Sequence, residues 1–161
     1  MLSKIFFVAF LTFFSAVQSG LCAGRDKTSD DKQKITAVLH TYEHAINNGE
    51  VDLASQIWLH SDESTLIHPR GHEHGWEAIR NNFYTGTMFK LFSKRKLVLK
   101  DINMHVYGDA AWLEMYWDFG ATTREGKDVH HQGRETQVLR KIHDHWRIVH
   151  IHYSSIPKNK E

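Results

Sequence analysis

The 161-residue chain sets 20 Lys and Arg against 19 Asp and Glu, so a net charge of +1 leaves no basic block of the kind nucleic acid demands. A single cysteine excludes an internal disulfide. Histidine is what composition leaves to be explained, since 13 of them is well above ordinary usage for a domain of this size.

In chain order, Lys4 precedes an apolar run from Ile5 to Val17 broken only by Thr12 and Ser15. Small residues follow at Ser19, Gly20, Ala23 and Gly24, so residues 1–23 read as an export signal. The run is shorter than the about 20 residues that span a bilayer. The expectation is a protein exported to a periplasm or to the outside, free of the membrane after cleavage. Cys22 falls inside the cleavage window and is not placed as a lipoprotein signal requires.

About 140 residues remain, which suits one domain with one core. Residues 24–31 are polar and read as a flexible start, and Ser29 or Asp30 can cap a helix. That helix carries Ile35, Val38, Leu39, Tyr42, Ala45 and Ile46 at helical spacing and stops at Asn47-Asn48-Gly49. A shorter helix turns Leu53, Ala54, Ile57 and Trp58 inward. Ser64 to His68 reads as a strand ending at Pro69, Arg70 to Gly75 as a polar loop, and Trp76, Ile79 and Phe83 mark a third helix.

Beyond Phe89 the period changes to two. Strands are expected from Lys96 to Tyr107 (irregular near Asp101), Ala110 to Thr122, Asp128 to Lys141 and Trp146 to Ser154. Helices followed by an antiparallel meander imply an α+β domain filling residues 32–157, with 158–161 as a tail.

Three stretches carry a resemblance: Gly75-Trp76-Glu77-Ala78-Ile79, Gly108-Asp109-Ala110-Ala111, and Arg134-Glu135-Thr136 through Trp146-Arg147-Ile148-Val149-His150-Ile151-His152-Tyr153-Ser154. Their order resembles the SnoaL-like, nuclear transport factor 2-like superfamily, and the last is similar to the association domain of calcium/calmodulin-dependent protein kinase II. The resemblance implies a cone-shaped, cystatin-like curved antiparallel sheet wrapped around the N-terminal helices. The fold hosts isomerases, cyclases, dehydratases, ligand binders and assembly hubs, so it fixes architecture and leaves function open. In the kinase domain three pocket arginines bind anions. The matching positions here are Trp117, Gln137 and Tyr153. That parity implies that Met115, Trp117, His131, Glu135, Gln137, Ile151 and Tyr153 line a small-molecule pocket, with Ile79 from the third helix. Trp112, Glu114, His130, Arg134, His150 and His152 then face away, unless a bulge intervenes.

Within that frame Glu135, Tyr153 and His131 are the candidate catalytic residues. A carboxylate in an apolar cone gains a raised pKa and serves as base, a tyrosine steadies an oxyanion and a histidine carries a second proton. Trp117, Gln137, Met115, Ile79 and Ile151 are the candidate ligand contacts. Two histidine groups offer imidazoles to zinc or copper: His68, His72 and His74 in the polar loop, and His150 with His152 on the last strand, where His130 is expected as a neighbour. The alternatives are a ligand- or metal-binding protein without turnover, and an assembly module. Trp112, Tyr116 and His150 do not suit a solvent-facing sheet, which implies a homodimer.

Overall fold

The structure, a computed structural model, describes residues 27–156. The expected export signal, Cys22 and the tail lie outside the described residues.

Helix α1 (Lys27–Asn48) buries Ile35, Val38, Leu39, Tyr42, Ala45 and Ile46, the stripe its spacing predicts. Gly49 follows at φ 76°, where the chain leaves the helix. The start differs from expectation, because residues 27–31 are helical instead of loose. Asp31 is 4% exposed and accepts hydrogen bonds from Lys141 Nζ at 2.6 Å and Trp146 Nε1 at 3.1 Å. Those partners lie 110 and 115 residues away, so no local pattern announces the contact.

Helix α2 (Val51–Ile57) leads through buried Trp58 to β1 (Thr65–His68). The polar loop expected next is a strand, β2 (Gly71–His74), paired antiparallel with β1. Helix α3 (Trp76–Ala78) then runs into an 11-residue π-helical segment, Ile79–Phe89. Its wider turn, with hydrogen bonds from i to i+5, sets Phe83, Thr87 and Met88 toward one cavity.

Strands β3 (Phe92–Tyr107), β4 (Ala110–Thr123), β5 (Asp128–Ile142) and β6 (His145–Ser155) form the antiparallel meander. Strand β1 adds to β6 in parallel, giving the order β2-β1-β6-β5-β4-β3 in one curved sheet. Besides a shift at the start of β3 between Phe92 and Lys94, two irregularities reset the alternation. One falls between Lys100 and Asn103, with Asp101 at φ 52°, so Leu97 faces the core before it and Met104 after it. The other leaves Val149 unpaired, so Ile148 and Ile151 both point inward. Helix α1 packs across β3 and β6, and the core lies between helices and sheet. The fold is α+β with the sheet wrapped around N-terminal helices, as expected.

Candidate functional site

A cavity of about 370 Å³ opens between the π-helical segment and the end of the sheet where Trp117 and Tyr153 lie. Ile46, Phe83, Met88, Leu91, Phe92, Leu97, Trp117 and Phe119 give it apolar walls. His68, Arg70, His131, Gln132, Tyr153 and Ser155 supply its polar groups. Arg70, His131, Gln132 and Ser155 are solvent-exposed and form the rim. A cavity of this size, mostly apolar with a few converging polar groups, has the character of a small-ligand site.

Trp117 reaches the cavity because its cross-strand neighbour is glycine. A Cβ on Gly133 would sit 2.3 Å from Trp117 Cζ2 and 2.4 Å from the Ser154 carbonyl oxygen, inside both atoms. The indole therefore occupies the space over Gly133 and donates from Nε1 to the Arg134 carbonyl at 3.2 Å. Its ring meets Tyr153 edge-on, centroids 6.0 Å apart.

Glu135 is 2% exposed and does not itself line the cavity. Burial pushes its carboxyl up to about 8, against smaller downward pulls from hydrogen bonding by Gln137 and Tyr42. Gln137 Nε2 donates to Oε1 at 2.6 Å, whereas Oε2 has no partner of full hydrogen-bonding geometry. The Tyr42 hydroxyl, buried in α1, is hydrogen-bonded to the hydroxyl of Tyr153, which does line the cavity. Burial first, and then the Glu135 carboxyl, holds both phenols well above the usual tyrosine range. A carboxyl with a pKa of about 8 is mostly protonated at neutral pH, so it is poised to donate a proton, not to remove one.

The remaining expected ligand contacts lie in the core and not at the cavity. Gln137, Met115, Ile79 and Ile151 are 0–3% exposed and absent from its lining. Parity chooses a face, while depth along the strand chooses between cavity and core. Gln137 and Ile151 pair with each other deeper in the sheet than Tyr153, where the helices leave no space. Sequence reasoning missed Tyr42, read only as helix core, and Arg70, read as loop. Arg70 brings a cation to the rim from a different element than the strand positions the resemblance pointed to.

The expected metal groups are divided by the sheet. His68 points inward, 8% exposed, with Nε2 3.3 Å from Glu73 Oε1, while His72 and His74 are exposed with ring centroids 4.0 Å apart. The register of β1 against β2, with Gly71 opposite His68, puts His68 on the face opposite the other two, so the three cannot converge on one ion. His72 and His74 instead share the outer face with His152 and His150, through Ile67 and Thr65. His150 Nδ1 pairs with Thr65 Oγ1 at 2.7 Å, and burial, then His152 and His72, lowers its pKa. His130 is not beside them; it pairs with Asp118 at 2.7 Å, while Val138 and Thr136 stand opposite His150 and His152. Among the described residues, no group of three or more His, Cys, Asp or Glu side chains is disposed to hold a metal ion.

Comparison with known proteins agrees with this architecture. No curated protein matches the chain. Among solved structures, a nuclear transport factor 2-like superfamily protein from Salmonella enterica serovar Typhimurium LT2 is 46% identical, with a TM-score of 0.80 over 83% of this chain and 96% of that one. The association domain of the Caenorhabditis elegans CaMKII (23% identity, TM-score 0.64, 81% of this chain and 100% of that) shares the fold. So does a hexachlorocyclohexane dehydrochlorinase, LinA type 2 (10%, 0.72, 81% and 88%). The family model of the SnoaL-like domain matches residues 35–158, and the chain belongs to that family.

Proposed function

We propose that this chain is an acid/base enzyme of the isomerase, lyase or hydratase kind, acting on a small, partly apolar molecule held in the cavity. One observation carries the reading: Tyr153 faces the cavity on one side and on the other is hydrogen-bonded to Tyr42, which neighbours a buried carboxyl held near its neutral form. A protonated Glu135 offers an O–H toward Tyr42, Tyr42 offers one toward Tyr153, and Tyr153 offers one to an oxygen of the substrate. Proton transfer along this line stabilises negative charge as it develops on that oxygen, where the apolar walls make a hydrogen bond stronger than in water. His131 at the rim is a second proton carrier, and the apolar walls bind the substrate's body. The same fold carries dehydrochlorinase activity in LinA, so elimination is a chemistry it can house.

The test is turnover of small cyclic hydroxyketones and enones, followed as loss or gain of water by absorbance. Tyr153→Phe and Glu135→Gln are each expected to cut kcat by about 10²-fold, the usual scale of general acid catalysis. Full turnover by both variants of any substrate found would sink the proposal.

A further inference from the structure

We infer that His68 is the catalytic base of this cavity, positioned by Glu73 and Asn82; the inference rests on the acid/base reading above and supplies its proton-accepting half. Three elements converge to make the arrangement. His68 ends β1 on the inner face and lines the cavity. Glu73 comes from β2, its Oε1 3.3 Å from His68 Nε2. Asn82, from the π-helical segment, donates from Nδ2 to Glu73 Oε2 at 2.6 Å. Both oxygens of the carboxylate are thus engaged, one toward the imidazole and one by an amide that fixes its rotation.

The residue opposite His68 is Gly71. A Cβ there would lie 3.3 Å from Glu73 Oε1 and 3.8 Å from His68 Nε2, so the missing side chain leaves the pair its room. A carboxylate on Nε2 selects the tautomer that carries hydrogen there and leaves Nδ1 as the basic nitrogen. The ring of Phe83 lies 5.2 Å from that of His68 and 5.9 Å from that of Tyr153, so base and hydroxyl donor flank one apolar surface.

The substrate class that uses both is a small hydroxy compound whose C–H proton is made acidic by a neighbouring carbonyl. His68 takes that proton, and the C–H electron pair becomes the new C=C bond. The C–O bond on the next carbon breaks, and its oxygen leaves as water with the proton from Tyr153. Glu135 returns a proton to Tyr153 through Tyr42. The imidazolium then loses its proton to solvent and Glu135 regains one from it, so nothing else is consumed.

The base can be tested apart from the acid line with 5-nitrobenzisoxazole, a planar bicycle whose opening requires only a base. The ring C–H proton leaves, the N–O bond breaks and a coloured nitrile phenolate forms. The full chain is expected to open it with saturation, and His68→Asn to lose about 10²-fold or more in kcat. Glu73→Gln is expected to lose about tenfold in kcat with KM and melting temperature unchanged, which a purely structural contact would not give. His143→Asn in the β5–β6 turn is the control and keeps the wild-type rate. A His68→Asn chain as fast as wild type, or a wild type no faster than that variant, overturns the assignment. If that happens while Tyr153→Phe and Glu135→Gln still cripple hydroxyketone turnover, the base alone is wrong. The opposite pattern leaves the base standing and removes the acid line.

Discussion

At the scale of single residues, Glu135 shows how burial converts a charge into a reagent. Folding strips its carboxyl of water and raises its pKa from an ordinary 4.5 to about 8. The sign of the stability effect follows. A group whose folded pKa is raised contributes fully below its unfolded pKa and loses that contribution as pH climbs through the folded one. Between about pH 4.5 and 8 the folded state therefore loses up to about 1.4 kcal/mol per pH unit through this group. Glu135→Gln is neutral at every pH and keeps the shape. Urea unfolding is expected to show the two chains alike near pH 5 and the variant more stable at pH 9. Parallel pH profiles would mean that the carboxyl is not desolvated as described.

Elements behave according to what lies near them in sequence. The helices, the meander and the irregularity at Asp101 were legible because periods of 3.6 and 2 are written into neighbouring residues. The strand Gly71–His74 was not, because its glycine and charged or imidazole side chains carry no apolar alternation, and only pairing with β1 makes it a strand. The start of α1 was likewise hidden. Asp31 and Lys141, each with a 6% exposed side chain, join the helix start to β5 across most of the chain length. Burial pushes the Asp31 carboxyl upward, but hydrogen bonds from Lys141 and Trp146 outweigh it and leave the pKa lowered. A lowered carboxylate contributes stability above its unfolded value near 3.9 and loses it as pH falls through the folded one. Asp31→Asn leaves the Lys141 charge buried without its counter-ion, and about 3 kcal/mol of stability is expected to go at pH 6. The gap to wild type should close below about pH 4. A loss under about 1 kcal/mol at pH 6 would mean the pair is no anchor.

For the whole molecule, the outer sheet face is where a second copy is expected to dock. Tyr116 stands 46% exposed between Lys100 and Arg134, with Glu114 exposed one row away. Trp112 stacks on His105, ring centroids 4.1 Å apart. Aromatic surface with both charge signs suits a second copy related by a two-fold axis, since each sign then meets its opposite. Light scattering at micromolar concentration is expected to give a dimer, and Arg134→Glu to shift it toward monomer. A monomeric wild type would contradict this.

The sequence by itself determined the helices, the four long strands of the meander and the two-residue alternation along each, because these follow from residues close together in the chain. The resemblance, not the local pattern, implied which face of those strands turns inward, and the strand Gly71–His74 escaped both. Only the tertiary structure decided which inward residues meet a cavity, since that depends on which helix lands over each strand row. It alone joined Tyr42 to Tyr153, across 111 residues of sequence. It also separated His68 from His72 and His74, because the hairpin register sets Gly71 opposite His68 and so turns the even-numbered residues of β1 and β2 to opposite faces of the sheet.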